Sequence, residues 1–221
     1  MTIKTNKLIF LLALIAYFLL ISSSLMASEI ISLTDNEKKL IDQGEIIVRE
    51  VETVKKEGKT FEAIGYINAS KTTIIKVLTE YEKYPDFMPN ISHVKIVEKK
   101  GNAVILNYTL TLPLKKIKKY RLKISVSEPE EQSALIQWEL LKWPELKPEE
   151  TIKDTTGYWR IEEKTQNSSL VLYHVYTDPG PIPFGLGWIV DVLSKNSVPD
   201  ALLQTKNRAE KMVLTNASNE K

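Results

Sequence analysis

Apolar residues recur at every second position over the middle of this chain. They group as Val94 and Ile96; Val104, Leu106, Tyr108, Leu110 and Leu112; Tyr120, Leu122, Ile124 and Val126; and Ala134, Ile136, Trp138 and Leu140. A period of two is the mark of strands with one buried face. Four such strands in succession with no helix between them predict an antiparallel meander, with turns at Lys100-Gly101-Asn102, Leu112-Pro113, Glu128-Pro129 and Trp143-Pro144. Two further strands are expected near residues 157–162 and 170–177. Upstream, Ile46, Val48, Val51 and Val54, a turn at residues 56–59, and Phe61, Ala63, Gly65 and Ile67 read as a hairpin. Ser70 then caps a helix of about eleven residues carrying Ile74, Ile75, Val77 and Leu78, which should end before Tyr84-Pro85.

Helical spacing returns only after Asp178-Pro179-Gly180-Pro181-Ile182-Pro183, whose three prolines exclude regular structure. A tail starting near Gly185 places Trp188, Ile189, Val192 and Leu193 on one face. Pro199 then opens a helix of about fifteen residues through Ala201, Leu202, Ala209, Met212 and Val213. The expected fold is α+β, with a curved antiparallel sheet wrapped around this long C-terminal helix and a short helix after the first strands. Such a wrap leaves room for a cavity between sheet and helix. Residues 32–44 (SLTDNEKKLIDQG) predict a polar helix on the outside, anchored by Leu33, Leu40 and Ile41.

The first residues follow another pattern. Lys4 and Lys7 precede fourteen apolar residues, Leu8 to Ile21, then Ser22-Ser23-Ser24-Leu25-Met26-Ala27. This is the layout of a secretory signal peptide, and the apolar run is short against the roughly 20 residues of a bilayer span. Cleavage is expected near Ala27, with a cut after Ser24 competing and retention as an N-terminal anchor as the alternative. The chain therefore divides into a leader (1–27), a helical extension (28–44), one domain (45–214) and a disordered tail (215–221). It is expected to be periplasmic or secreted. It has no cysteine, so neither a disulfide nor a thiolate nucleophile is available.

Beyond the leader the chain carries 28 basic and 28 acidic residues. With no basic excess, a nucleic-acid partner is not expected. Catalytic groups are sparse. The two histidines, His93 and His174, have no neighbours that would suggest a triad or a metal site, and Gly180, Gly185 and Gly187 form no phosphate loop. No cofactor and no metal are expected. The carboxylate runs at residues 128–131 and 149–150 read as solvated turns.

The aromatic residues are more informative. Tyr108, Tyr120, Trp138, Trp159 and Tyr173 all fall on strands, where they either fill the core or line a cavity together with Leu110 and, from the tail, Trp188. Phe87 and Met88, after the first helix, either gate the cavity mouth or plug one end of the core. Lys115, Lys116, Lys119, Arg121 and Lys123 cluster around one hairpin. They form a solvated face that discourages edge pairing, or a surface for anionic headgroups.

The stretch ASKTTIIKVLTEYEKYPDFMPNI (69–91), with Asn107-Tyr108, Tyr120-Arg121, Trp138, Gly157-Tyr158-Trp159 and Asp178-Pro179-Gly180, resembles the START-like helix-grip proteins, in particular their polyketide cyclase/dehydrase and coenzyme Q-binding branch. The resemblance spans roughly residues 45–214. It implies a hydrophobic cavity between sheet and helix that holds a lipid, quinone, sterol or polyketide. Three functions follow as expectations. The favoured one is a carrier of a hydrophobic small molecule, a lipid or isoprenoid quinone, with transient contact to an anionic membrane. The others are a cyclase or dehydratase in which a tyrosine or His174 polarises a carbonyl, and an interaction module with a filled core. The scaffold alone does not choose among them.

Overall fold

The computed structural model describes residues 31–53, 57–180 and 195–219. The predicted leader, Val54 and Trp188 lie outside them. In chain order the elements are α1 (Asp35–Asp42), β1 (Ile47–Val51), β2 (Lys59–Ile67), α2 (Lys71–Thr79), a 3-10 turn (Tyr81–Asp86), β3 (Ile91–Lys100), β4 (Ala103–Leu112), β5 (Lys116–Ser127), β6 (Ser133–Leu141), β7 (Asp154–Thr165), β8 (Ser168–Asp178) and α3 (Ser197–Asn219). The eight strands form one antiparallel sheet in the order β1-β2-β8-β7-β6-β5-β4-β3. The β1–β2 hairpin thus adds to the last strand of the meander, and α2 with its 3-10 turn carries the chain from one side of the sheet to the other.

The inner face follows the predicted alternation. Phe61, Leu106, Tyr108, Tyr120, Ile136 and Trp159 are all buried there with Ile74, Val77 and Leu78 of α2. Helix α3 contributes Val198, Ala201, Leu202, Thr205 and Ala209, a stripe at helical spacing. It packs over β2 at Gly65. A Cβ there would stand 3.3 Å from Ile46 and 3.6 Å from Leu202. Polar ties fix the rest of its length. Asn90 donates to Ser197 Oγ at 2.8 Å, the Asn68 amide to Glu210 at 2.9 Å, and Arg208 to Glu80 at 3.0 Å.

Two boundaries and one exposure differ from the expectation. Helix α2 stops at Thr79, whose hydroxyl donates back to the Ile75 carbonyl, and Glu80 leaves the helical region at ψ 58. The predicted continuation is a 3-10 turn that contains Pro85. Helix α3 starts at Ser197 and runs to Asn219, so residues 215–219, predicted as tail, are helical. There Thr215 and Ser218 donate to carbonyls four residues back. In β1, Val48 is 44% exposed, because an edge strand has a neighbour on one side only.

Helix α1 sits on the outer face through Ile41 and a charge network. Thr34 and Glu37 form a reciprocal cap, and Arg49 binds both Glu37 oxygens at 2.7 Å. Arg49 also reaches Glu62, which accepts from His174. The Arg49 hydrogen bond holds the Glu37 carboxyl down at about 2. A lowered folded-state value contributes stability above the ordinary carboxylate range, and that stability fades as pH falls through the folded value. Acidification from pH 5 to pH 2 is therefore expected to release α1. Amide exchange in residues 35–42 should accelerate well before that of the sheet core, and simultaneous loss of both would contradict it.

Candidate functional site

The chain end that follows α2 builds one wall of an interior space. Tyr84 is buried and donates to the Leu78 carbonyl at 2.7 Å, which folds the 3-10 turn back onto α2. Tyr84 packs edge-on against Phe87 at 5.5 Å and tilts toward Tyr108 at 6.3 Å. Asn90, at φ 62, turns the chain into β3. This places Met88 beneath the sheet.

Two adjoining chambers result. The outer one, 190 Å³, is lined by Phe61, Met88, Leu110, Leu112, Lys118 and Val175 among others, together with Ser197, Val198 and Ala201 of α3. The inner one, 170 Å³, is lined by Tyr84, Tyr108, Tyr120, Trp138, Trp159 and Tyr173 with aliphatic neighbours. Met88, Ile91, Leu110, Tyr120, Ile152, Tyr173, Val175 and Thr177 belong to both. Two aromatic stacks form the inner walls. Tyr108 and Tyr120 are parallel at 5.2 Å, and Trp159 lies on Tyr173 at 4.1 Å with Trp138 tilted at 5.8 Å. Burial pushes the phenols of Tyr84, Tyr108, Tyr120 and Tyr173 above their ordinary value of about 10. All four remain neutral at physiological pH.

Of the residues predicted for a cavity, Met88, Tyr108, Leu110, Tyr120, Trp138, Trp159 and Tyr173 line one chamber or both. Phe87 lines neither. It packs against the core under the guanidinium of Arg208, 4.9 Å from its ring centre, and so helps strap α3 to the turn rather than gate a mouth. Trp188 is not among the described residues. Sequence reasoning missed Tyr84, Ile91, Ile152, Phe61 and Val175 as lining groups. Tyr84 and Met88, four residues apart before a strand, carried a usable signal, whereas Ile152 comes from the irregular β6–β7 connection and carried none.

Gly157 is required by this packing. A Cβ there would collide with the Trp138 indole and with the His174 carbonyl. Gly157→Ala is expected to cost about 1–3 kcal/mol and to displace Trp138. The fluorescence of the inner chamber should then shift, and a variant with wild-type stability and spectrum would contradict the assignment.

His174 stands on the opposite face of the sheet. Its Nδ1 is 2.9 Å from Glu62 and its ring stacks on Tyr158 at 4.8 Å, beside an open polar cleft of 380 Å³ lined by Lys123, Gln137 and Glu139. The sheet separates it from the chambers, so it is not placed to polarise a carbonyl inside them. Its hydrogen bond and the nearby Arg49 hold Glu62 below the usual carboxylate range.

The predicted docking cations divide in two. Arg121 donates to Asn107 at 2.8 Å and lies 4.8 Å from the Trp143 ring, while Lys123 pairs with Glu139 at 2.9 Å. Lys115, Lys116 and Lys119 are exposed around the β4–β5 turn. With them stand two apolar side chains, Leu114 at 66% and Ile117 at 55% exposure. Leu114 and Lys115 both have positive φ, 59° and 56°. Lys118, between them and the outer chamber, donates to the Thr151 and Pro179 carbonyls, and desolvation lowers its pKa.

A family model described as polyketide cyclase / dehydrase and lipid transport matches residues 67–196. The chain belongs to that family. Solved structures share the fold at low identity. A STAR-related lipid transfer protein fragment from Xanthomonas axonopodis is 14% identical, with TM-score 0.64 over 74% of this chain and 93% of that one. Human STARD10 is 16% identical, with TM-score 0.61 over 81% of each chain. The Zhui aromatase/cyclase from Streptomyces is 16% identical, with TM-score 0.55 over 76% of this chain and 96% of that one. No curated protein matches the chain significantly. Family and fold together indicate binding or transfer of a hydrophobic ligand.

Proposed function

We propose that this protein is an exported carrier of a hydrophobic small molecule, a lipid or isoprenoid quinone, held in the two interior chambers and exchanged at an anionic membrane surface. The observation that carries the reading is the pair of adjoining chambers, walled by aromatic and aliphatic side chains in a domain of the lipid-transport family. An apolar space of this kind favours an apolar guest because burial removes both surfaces from water.

The β4–β5 hairpin supports exchange at a membrane. It borders the outer chamber through Leu112 and Lys118, and it presents Leu114 and Ile117 among Lys115, Lys116 and Lys119. Two successive left-handed residues make a primed turn, which Asn-Gly normally supplies. Leu-Lys at this position is strained, and strain kept at an exposed apolar tip favours a role for that tip. Each lysine near an anionic surface adds about 1 kcal/mol, and an apolar side chain in the interface adds burial. The signal-peptide layout of residues 1–27 supports export.

Mass spectrometry of the protein from its native host tests the reading, first intact under non-denaturing conditions and then after organic extraction. A stoichiometric apolar molecule on a chain that begins near Ser28 is the expected result. Empty protein that a panel of lipids and quinones does not stabilise against heat would overturn the carrier.

A further inference from the structure

We propose that the inner chamber selects a neutral carbonyl or hydroxyl group, read by the hydroxyls of Tyr108, Tyr120 and Tyr173, so that the ligand is a single-chain or single-ring molecule that enters polar end first. This deepens the carrier reading and rests on it. Four tyrosines line the inner chamber, and only one of their phenols is satisfied by protein, through the bond from Tyr84 to the Leu78 carbonyl. The other three engage their neighbours through ring contacts, and among the described residues their hydroxyls have no hydrogen-bond partner. Purely apolar packing would be served better by phenylalanine. Three neutral tyrosines without a protein partner, lining a space of 170 Å³, are suited to an oxygen acceptor.

The charge inventory restricts that acceptor. No Asp, Glu, Lys, Arg or His lines the inner chamber among the described residues. A carboxylate, phosphate or ammonium placed there would be buried without a counter-charge, which strongly disfavours it. The cations Lys59 and Lys118 line only the outer chamber, and Lys118 already donates to two carbonyls. A fatty acid in the reverse orientation could set its carboxylate near Lys118, but its alkyl chain would then face three unpaired phenols. Size acts in the same direction. The two chambers together reach only the lower end of the roughly 300–1,000 Å³ of ordinary ligand pockets, which is too little for a two-chain phospholipid. With the oxygen against the tyrosines, an alkyl or isoprenoid tail passes Leu110, Phe61, Val198 and Ala201 on its way out.

The test uses the mature protein with 2-tridecanone, n-tridecane, tetradecanoate and dimyristoyl phosphatidylglycerol, each delivered from cyclodextrin. Binding is read by native mass spectrometry and by the fluorescence of Trp138 and Trp159 in the chamber wall. The ketone is expected to bind at least about tenfold more tightly than the alkane, because a site built to hydrogen-bond an oxygen discriminates against an analogue lacking it. It should also exceed the acid and the phospholipid. In the Tyr108→Phe/Tyr120→Phe/Tyr173→Phe variant the ketone should lose that advantage while the alkane binds as before. The three single variants carry the same test if the triple variant does not fold, each losing part of the preference. Equal binding of ketone and alkane by the wild type, preference retained in every Phe variant that folds, or tightest binding of the phospholipid or the acid would overturn this inference and leave the carrier standing. Binding of none of the four probes would also overturn this inference, whereas the carrier itself falls only if the native protein is empty and the lipid and quinone panel fails to stabilise it.

Discussion

A Val175→Trp variant is expected to fold and to lose hydrophobic-ligand binding by about a hundredfold, since displacing some four methylenes of ligand at about 0.8 kcal/mol each removes about 3 kcal/mol of affinity. Val175 lies on the inner face of β8, opposite Phe61 on one side and Gly157 on the other, and it borders both chambers. The space over its cross-strand neighbour Gly157 is taken by the Trp138 indole, so an indole grown from position 175 is accommodated in the chambers that Val175 borders. Overpacking a filled core costs about 1–3 kcal/mol, but here the added volume enters a chamber of 170–190 Å³. The melting temperature should therefore stay within a few degrees of wild type. Titration calorimetry with the extracted ligand, or displacement of a fluorescent lipid, measures the loss. Unchanged affinity would move the ligand out of the interior, and the open cleft beside His174 would be the next place to look.

The sequence made the interior legible because the sheet alternates cleanly. Tyr108, Tyr120 and Trp138 keep phase with Leu106, Leu122 and Ile136, so their common face followed from period two alone. The C-terminal helix followed from Ala201, Leu202 and Ala209, yet its last turns did not, because Thr215 to Asn219 carry no apolar stripe and are held by local hydroxyl bonds. Phe87 shows a different limit. Its placement depends on Arg208, more than a hundred residues later, and no local pattern announces a cation over a ring. Ile152 is similar, since an irregular connection has no period to read. The basic hairpin was legible as charge but not as a tip. Arg121 and Lys123 share its solvent face yet are engaged by Asn107 and Glu139, while Leu114 and Ile117, which lend it an apolar point, were hidden among lysines.

That tip leads to the second large effect, in which stability and docking move in opposite directions. Replacing Leu114-Lys115 by Asn-Gly gives the turn the residues its two positive φ angles favour. Relief of roughly 1–2 kcal/mol at each left-handed position should raise the melting temperature by several degrees, since 1 kcal/mol corresponds to about 2–4 °C in a domain of this size. Docking should weaken at the same time. The variant loses an exposed leucine, whose burial is worth about 1.5–3 kcal/mol, and one lysine worth about 1 kcal/mol at an anionic surface. Partitioning onto vesicles containing phosphatidylglycerol should then fall by about a hundredfold. Salt separates the two contributions, because screening reaches exposed lysines and not the buried leucine. Lys116→Gln/Lys119→Gln should weaken binding at low ionic strength and little at high, whereas Leu114→Asn should weaken it at both. A turn that gains stability while vesicle binding is unchanged would show that the strain serves something other than the membrane, and the docking surface would have to be sought elsewhere around the outer chamber.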